Sequence, residues 1–319
     1  MHRCAILDDY QNVALKMADW PSLGPDLAVT VFNCHIESRG ELIAALRDFD
    51  IIVAMRERTA FDAEVLNALP NLRLLVTTGM RNAAIDVAAA EARGIVVCGT
   101  GGVPGSTAEL AWALILALAR NIPAEAVDFR NGAPWQSRLG IDLAGKRLGT
   151  VGFGRLGVRV ARVGIAFGME FAAWSRNLTE ERAKAEGAIR VATLDELLAT
   201  SDVVSVHLTL PPQTRGLIGA RELGLMKPTA FLVNTSRGPI VNEAALVAAL
   251  DGGRLAGAGI DVFDREPLPA DHAMRRTRRL IGTPHVGYVT EGTYRIFYGE
   301  AVEDIRAWLK GEPVRRVSA

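Results

Sequence analysis

The feature that most constrains this chain is a glycine-rich turn between an apolar run and a helical pattern. Leu148 to Val151 is followed by Gly-Phe-Gly-Arg-Leu-Gly (residues 152–157) and then by the helical pattern of Val158 to Ala166. The first glycine of such a turn closes the bend, the second admits backbone amides to a pyrophosphate, and the third lets helix pack on strand. The order of strand, turn and helix therefore predicts a dinucleotide-binding unit. Its expected contacts are Gly152, Gly154, Arg155, Leu156 and Gly157.

The end of the next apolar run indicates which dinucleotide fits. Met169 to Trp174 ends at Ser175-Arg176-Asn177, where NAD-binding folds usually place an Asp or Glu on the ribose 2′-hydroxyl. No carboxylate is present there, and a serine and an arginine can bind a 2′-phosphate instead. We therefore predict that NADP binds through Ser175, Arg176 and Asn177. NAD held by the remaining contacts is the alternative.

Short apolar runs alternate with helical patterns on both sides of the glycine-rich turn. This alternation is typical of parallel sheets covered by helices, and a length of 319 residues favours two domains. We predict an α/β fold of two Rossmann-like, doubly wound parallel-sheet domains with a cleft between them. The predicted strands are Cys4 to Leu7, Ile51 to Ala54, Leu72 to Val76, Ile95 to Val97, Leu148 to Val151, Met169 to Trp174, Val203 to Val206, Ala230 to Val233 and Leu255 to Ile260.

A second glycine-rich stretch, Gly99 to Gly105, predicts a hinge. Ser106-Thr107-Ala108-Glu109 follows with the form of a capping box, which predicts that Ser106 caps an apolar helix over Leu110 to Ala119. The last helical pattern, Thr293 to Leu309, is amphipathic and ends at Lys310-Gly311.

Charge and composition argue against several function classes. Lys plus Arg equals Asp plus Glu at 36 each, which argues against a general electrostatic grip on nucleic acid or an anionic membrane. The three cysteines form no CxxC pair, so neither a disulfide framework nor a thiolate metal site is expected. The longest strongly apolar run, Ala111 to Ala119, is too short to span a bilayer, and the N-terminus lacks a signal-peptide pattern. We expect a cytoplasmic protein without a metal.

Three further segments place polar residues directly after buried-looking strands. They are residues 231–238, which end in Asn-Thr-Ser-Arg-Gly, residues 259–267, which contain Asp-Val-Phe and Glu-Pro, and residues 283–287, Thr-Pro-His-Val-Gly. In open α/β sheets the ligand lies beyond the carboxyl ends of the strands, so we expect these segments to meet there. Taken singly, Arg237 reads equally well as a surface cation and Glu266 as a solvated loop carboxylate.

Together with the glycine-rich turn, these motifs resemble the D-isomer-specific 2-hydroxyacid dehydrogenase family, which includes phosphoglycerate, glycerate and formate dehydrogenases. The match runs clearly from Leu143 to Gly287 and more loosely over the first hundred and last thirty residues. The resemblance implies hydride transfer between NAD(P)H and C2 of a small 2-oxo or D-2-hydroxy acid. It also implies a discontinuous substrate domain (1–101 plus 290–319), a dinucleotide domain (102–289) and a homodimer. No C-terminal regulatory domain is expected, because the sequence stops shortly after the last predicted helix.

The resemblance implies three catalytic side chains whose chemistry fits the reaction. Arg237 offers a planar fork of donors for the substrate carboxylate and carbonyl. His285 exchanges a proton with the C2 oxygen, and Glu266 favours the protonated imidazole by bonding to its other nitrogen. Asp261 is placed at the nicotinamide carboxamide. The remaining expected cofactor contacts are Thr107, His207, Leu208, Leu210, Thr214, Thr235, Ser236, Arg237, His285 and Gly287.

The chain departs from the family in the loop that is expected to hold the substrate. The family commonly shows Gly-x-Gly-x-Asp-Asn-x-Asp, whereas residues 79–86 read Gly-Met-Arg-Asn-Ala-Ala-Ile-Asp. Arg81 favours a substrate with a second acidic group if it points inward, and it is a solvated cation if it points outward. Tyr288 replaces a small residue and would narrow the pocket, and Trp135 would reach a partner subunit or pack the dimer. The expected substrate contacts are Arg56, Gly79, Met80 and Arg81.

The main functional expectation is a glyoxylate- or hydroxypyruvate-type 2-oxo acid reductase. Two alternatives stay open, which are a phosphoglycerate-type dehydrogenase and a non-catalytic, dinucleotide-sensing protein like the corepressors that share this fold. A formate-type dehydrogenase is disfavoured, because formate oxidation needs no proton exchange at a C2 oxygen and hence no Glu266–His285 pair.

Overall fold

The computed structural model describes residues 1–319 and contains twelve strands and twelve α-helices. The strands are β1 (His2–Ile6), β2 (Leu27–Val31), β3 (Ile51–Ala54), β4 (Leu74–Thr77), β5 (Val96–Gly99), β6 (Arg147–Val151), β7 (Glu170–Trp174), β8 (Ile189–Arg190), β9 (Val203–Val206), β10 (Phe231–Asn234), β11 (Gly257–Ile260) and β12 (Leu280–Gly282). The helices are α1 (Ala14–Met17), α2 (Arg39–Leu46), α3 (Ala63–Ala68), α4 (Val87–Ala92), α5 (Ser106–Ala119), α6 (Ile122–Arg130), α7 (Arg155–Ala166), α8 (Glu180–Ala185), α9 (Leu194–Thr200), α10 (Ala220–Leu225), α11 (Glu243–Asp251) and α12 (Glu291–Leu309).

The chain forms two compact units. Unit 1 comprises Met1–Val103 and Thr290–Ala319, and unit 2 comprises Pro104–Val289. Unit 1 contains a five-stranded sheet in the order β2-β1-β3-β4-β5, in which all neighbouring strands are parallel. Strands β3 and β4 are buried along their whole length, because helices and loops cover both faces of a parallel sheet.

The last residues of the chain complete the sheet of unit 1. The Gly99 amide donates to the Arg315 carbonyl at 3.0 Å, and the Val317 amide donates to the Val97 carbonyl at 2.9 Å. The tail thus runs antiparallel along β5, which is the edge strand of that sheet.

Unit 2 contains a seven-stranded parallel sheet in the order β12-β11-β10-β9-β6-β7-β8. The direction of strand succession reverses between β6 and β9, which is the switch point where doubly wound sheets bind their ligands. The glycine-rich turn follows β6 directly. The arrangement therefore brings this turn to the switch point.

The predicted α/β fold with two parallel-sheet domains is confirmed. The predicted capping box at Ser106 is wrong, because α5 begins at Ser106 itself and Gly105 is its N-cap without a side-chain bond. Ser106 is buried, and the Thr107 hydroxyl donates to the Gly287 carbonyl at 3.2 Å. These side chains serve tertiary packing, which local sequence does not reveal.

The helices are too short or too polar to cross a membrane singly. Only α5 and α6 taken together are long and apolar enough, and a bend of 63° separates them.

Candidate active site

The glycine-rich turn is shaped by close backbone approaches. Gly152 has a φ of 102°, and a Cβ there would lie 2.4 Å from the His207 carbonyl oxygen. A Cβ at Gly157 would lie 2.5 Å from the Gly152 carbonyl oxygen. At Gly154 a Cβ would meet nothing within 4 Å. The first and third glycines are therefore required by packing, whereas the second borders open space.

The start of α7 presents donors toward that open space. Gly154 is the N-cap and supplies no side-chain bond, and Gly154 and Arg155 are both exposed. The first amides of a helix lack internal partners and carry partial positive charge, so they favour a phosphate. Thr235 and His207 directly follow β10 and β9 of the same sheet. The Thr235 hydroxyl and His207 Nδ1 are buried and have no hydrogen-bond partner. This open cradle fits the pyrophosphate and sugars of a dinucleotide.

His207 follows β9 and is an uncharged imidazole at neutral pH. Burial lowers the pKa of His207 to about 4, and its Nε2 lies 2.9 Å from the Ser205 hydroxyl. Its backbone carbonyl is the atom against which Gly152 packs. The residue therefore acts on the turn through its backbone.

The remaining predicted cofactor contacts are loop residues of unit 2. Ser175 is half-buried, Arg176 and Asn177 are exposed, and an Arg176 guanidinium nitrogen donates to the Gln213 carbonyl at 3.1 Å. The Thr214 hydroxyl is engaged within its own loop by the Thr209 and Pro211 carbonyls. Other side chains are also engaged locally, namely the Ser236 hydroxyl, which donates to the Leu208 carbonyl, and the Leu156, Leu208 and Leu210 side chains, which pack on the cores of the unit.

Arg237, Glu266 and His285 lie in the loops after β10, β11 and β12, which are adjacent strands. The loop that carries Arg237 is tied by Asn234. Its side-chain amide donates to the Arg237 carbonyl at 3.0 Å, and its oxygen accepts the Ser236 amide at 3.0 Å. The Arg237 guanidinium itself donates to the Ser236 carbonyl at 2.8 Å. Asn234 thus fixes the backbone from which the arginine projects.

Glu266 and His285 form a direct pair. His285 Nδ1 lies 2.5 Å from Glu266 Oε2, and Glu266 Oε1 accepts the Phe263 amide at 2.8 Å. The side chains retain exposed fractions of 19% for His285 and 29% for Glu266, so a ligand can reach them. Because Nδ1 is bonded to the carboxylate, Nε2 is the nitrogen that remains for proton exchange. The Tyr288 ring lies edge-on to the imidazole, with 5.3 Å between ring centroids.

Asp261 organises the loop that carries His285. Its carboxylate is fully buried and accepts the Thr283 hydroxyl at 2.6 Å, the Val286 amide at 2.8 Å and the Gly287 amide at 2.9 Å. Burial raises the pKa of Asp261, and these three donors oppose that rise. His285 has a φ of 53°, which is unusual for a residue with a side chain. The loop therefore keeps a strained shape because it folds around one carboxylate.

The predicted substrate contacts lie in unit 1, after β3 and β4. Arg56 has a φ of 51°, and its guanidinium donates to the Thr78 carbonyl at 3.1 Å. A Cβ at Gly79 would lie 1.8 Å from a guanidinium nitrogen of Arg56, so only glycine lets the arginine lie there. The Gly79 amide already donates to the Thr100 hydroxyl at 2.9 Å. Met80 is 45% exposed and Arg81 is exposed.

Sequence reasoning missed Asn234 as a loop tie, and it missed Glu243 and His272 altogether. Glu243 accepts the Asp264 amide at 2.8 Å, and His272 Nε2 lies 3.4 Å from the other Glu243 oxygen. A glutamate in the first turn of a helix is common, so no local signal marks this one.

Comparison with known proteins places these features in a family. Residues 112–287 match the model for the D-isomer specific 2-hydroxyacid dehydrogenase, NAD binding domain. The chain is 40% identical over 281 residues to the glyoxylate reductase of Aeropyrum pernix, covering 85% of this chain and 83% of that protein. It is 39% identical to the D-3-phosphoglycerate dehydrogenase of Archaeoglobus fulgidus, covering 87% of this chain and 53% of that protein. The crystal structure of a phosphoglycerate oxidoreductase from Vibrio cholerae superposes with a TM-score of 0.92 at 35% identity, covering 98% of this chain and 100% of that one.

Proposed function

The chain belongs to the D-isomer-specific 2-hydroxyacid dehydrogenase family, and we propose that it reduces small 2-oxo acids of the glyoxylate and hydroxypyruvate type with NADPH. The family predicted from the sequence is confirmed, and with it the class of enzyme, an oxidoreductase that moves a hydride between a nicotinamide dinucleotide and C2 of a 2-oxo or D-2-hydroxy acid.

The observation that carries the proposal is the Glu266–His285 pair, which lies in the loops after β11 and β12. Arg237 lies in the loop after β10, the strand next to β11. A bound nicotinamide supplies the hydride that reaches C2. His285 Nε2 gives the proton to the C2 oxygen, while Glu266 stabilises the imidazolium through its 2.5 Å contact at Nδ1. Arg237 binds the substrate carboxylate and polarises the C2 carbonyl with its planar donors.

The nicotinamide cofactor follows from the match of residues 112–287 to an NAD-binding domain. The preference for NADP is our proposal, and Ser175 and Arg176 after β7 support it. They offer a hydroxyl and a guanidinium, where a carboxylate would repel a 2′-phosphate. Pyrophosphate binding is assigned to residues 152–157, and the nicotinamide end to Asp261 and its neighbours.

We assign substrate binding in unit 1 to Arg56, Gly79, Met80 and Arg81. Because Thr100 already accepts the Gly79 amide, we assign the binding of a carboxylate to the amides of Met80 and Arg81. We also propose a cytoplasmic homodimer. Phe129 and Trp135 support the dimer, since they are 73% and 79% exposed and touch each other, with 6.3 Å between ring centroids.

A second candidate is a dehydrogenase of the phosphoglycerate type. The guanidinium of Arg56 lies against Gly79, at the loop that is expected to hold the substrate, and Arg81 adds a second cation two residues on. Two cations suit a substrate that carries a phosphate besides its carboxylate. Glu57 lies 3.6 Å from Arg56 and offsets part of this charge, so the unphosphorylated substrates stay our first proposal.

The proposal is tested by a matrix of 2-oxo acids against NADH and NADPH. Glyoxylate, hydroxypyruvate, phenylpyruvate and 3-phosphohydroxypyruvate are offered to the purified chain, and kcat/KM is measured for each pair. We expect turnover of the first two with a preference for NADPH. A strong NADH preference would refute the assignment of Ser175 and Arg176. Tight dinucleotide binding without any turnover would favour the sensing protein instead.

A further inference from the structure

Two glutamates hold the loop that presents the catalytic carboxylate. The loop runs over residues 263–266, and its first two amides point to different partners. The Phe263 amide donates to Glu266 Oε1 at 2.8 Å, and the Asp264 amide donates to Glu243 Oε1 at 2.8 Å. Each glutamate turns its second oxygen to a histidine, Glu266 to His285 at 2.5 Å and Glu243 to His272 at 3.4 Å. Two consecutive amides of the loop, those of Phe263 and Asp264, thus each donate to a glutamate that lies against a histidine.

The same loop is confined by the backbone beside Arg237. A Cβ at Gly238 would lie 2.1 Å from the Phe263 carbonyl carbon and 2.6 Å from the Asp264 nitrogen. No side chain fits between the two backbones there. A shift of residues 263–264 would therefore disturb the Arg237 loop as well as Glu266.

Glu243 is attached to a fixed element. It is the first residue of α11, which is capped by the Asn242 side chain and anchored by the buried Leu246 and Leu250. Its side chain has an exposed fraction of 14%. The Glu243 carboxylate is thus a rigid acceptor at the amide next to Phe263.

We propose that Glu243, supported by His272, is a positioning residue for the reaction. It fixes the Asp264 amide and thereby sets the Glu266 carboxylate against His285. This inference rests on the proposed function, because it concerns the efficiency of the proton exchange at His285. It assigns no contact with substrate or cofactor to either residue.

The charges around Glu243 agree with an electrostatic link to the catalytic pair. Burial raises the pKa of Glu243, and the carboxylates of Asp264 and Glu266 raise it further, while the Asp264 amide and His272 lower it. Burial also raises the pKa of Asp264, while Arg215 and His272 lower it. The groups that face Glu243 are therefore Asp264, Glu266 and His272, with Arg215 acting on Asp264.

The test removes the Glu243 carboxylate and follows the pH profile of reduction. In Glu243→Ala the Asp264 amide loses its acceptor, so Glu266 is held less firmly. We expect kcat to fall about 10-fold, since small misplacements of catalytic groups are costly, while the KM of the 2-oxo acid stays within about 2-fold. A less well-held carboxylate stabilises the imidazolium less, so the pH profile of kcat should differ from that of the wild type.

Conservative variants separate positioning from charge. Glu243→Gln keeps an oxygen for the Asp264 amide, so it should recover most of the kcat that Glu243→Ala loses. His272→Gln removes only the longer contact of 3.4 Å, and we expect a reduction of about 2-fold. If Glu243→Ala does not fold, these two variants decide the question. A kcat of Glu243→Gln as low as that expected for Glu243→Ala, or an unchanged kcat in His272→Gln, would overturn the proposal.

Glu222 provides a matched control in the same unit. It lies in the first turn of α10, accepts the Gly219 amide at 3.0 Å and has a side-chain exposed fraction of 17%. Glu222→Ala should lower the melting temperature without moving the pH profile. Equal kcat and equal pH profiles in Glu222→Ala and Glu243→Ala would mean that Glu243 is only structural. Wild-type chain without any turnover of 2-oxo acids would refute the proposed function itself, and the two failures are thus distinguishable.

Discussion

The loops after β12 and β4 are built in contrasting ways. The loop after β12, residues 283–287, folds around the buried Asp261 carboxylate, which accepts three donors from it. The loop after β4, which begins at Thr78, is held mainly by hydroxyl and amide groups, together with the Arg56 guanidinium at the Thr78 carbonyl. Thr100 accepts the Gly79 amide, and Asn82 donates to the Arg56 carbonyl at 2.6 Å. One loop folds around a buried carboxylate, and the other is held mainly by hydroxyl and amide groups.

This difference separates the reaction from the choice of substrate. A proton exchange needs the imidazole at one place, and a fully bonded buried carboxylate holds a strained backbone firmly. A loop that recognises the tail of the substrate can vary without harming the chemistry. Thr283, Pro284, His285 and Gly287 match the family motif, whereas Arg81, Ala83 and Ala84 depart from the pattern of the substrate loop. The sequence therefore supports the reaction more firmly than the substrate.

The largest effect is expected at the loop after β12. His285→Ala removes the group to which we assign the proton exchange, so kcat should fall by about 10³-fold. Dinucleotide binding, measured by titration of NADPH fluorescence, should change by less than about 3-fold, because residues 152–157 are untouched. A variant that retained full kcat would break the assignment of this loop to the chemistry.

A smaller effect is expected at the other end of the comparison. Arg56→Met and Arg81→Met each remove a cation from unit 1 while keeping most of the side-chain volume. We expect kcat/KM for 3-phosphohydroxypyruvate to fall about 10-fold, the value of one charge-assisted hydrogen bond. Glyoxylate has no second acidic group, so Arg81→Met should change kcat/KM for glyoxylate by about 2-fold at most. Equal losses for both substrates would mean that the arginines do not read the tail.

The parallel sheets could be predicted because their strands are short, continuous apolar runs. Both residues of strand β8 are exposed, so no apolar run in the sequence marks this strand. The meeting of Glu266 and His285, 19 residues apart, depends on β11 and β12 being neighbours in the sheet. Motif order indicates that arrangement only through resemblance to a family.

Other parts of the site have no local signature. Ser106 looks like a helix cap, yet it lies inside α5 because tertiary packing outweighs the capping preference. Glu243 looks like any acidic residue at a helix start, and its role depends on the distant Asp264 amide. Arg56 and Gly79 are 23 residues apart, and their close approach follows from the pairing of β3 with β4. Long-range contacts of this kind are set by topology rather than by sequence pattern.

The smallest expected effect concerns the pH dependence of stability and compares one buried carboxylate in each unit. Asp304 in α12 is fully buried like Asp261, but one of its oxygens has no partner and the other accepts only Arg315 at 3.0 Å. Burial raises the pKa of Asp304 to about 7. A carboxyl whose pKa is higher in the folded than in the unfolded state stabilises the fold at low pH, and that stability is lost as pH rises through about 7.

Asp304→Asn should therefore flatten the pH dependence of stability. Between pH of about 5 and about 8 the melting temperature of the wild type should fall by a few degrees more than that of the variant. Thermal melts in matched buffers provide the measurement. Parallel curves for the two proteins would show that unit 1 tolerates this charge as well as unit 2 tolerates Asp261.

The two-part construction of unit 1 determines the order in which a newly made chain can mature. Unit 2 lies wholly between residues 104 and 289, so it emerges from the ribosome before α12 does. Until then unit 1 lacks Tyr294, Phe297 and Tyr298, which are buried in the finished molecule, and the outer edge of β5 lacks its partner at residues 315–317. A nascent chain thus carries a completed second unit beside an unfinished first one, with apolar surface and an open sheet edge that chaperones recognise. Although unit 1 begins before unit 2, it is completed after it.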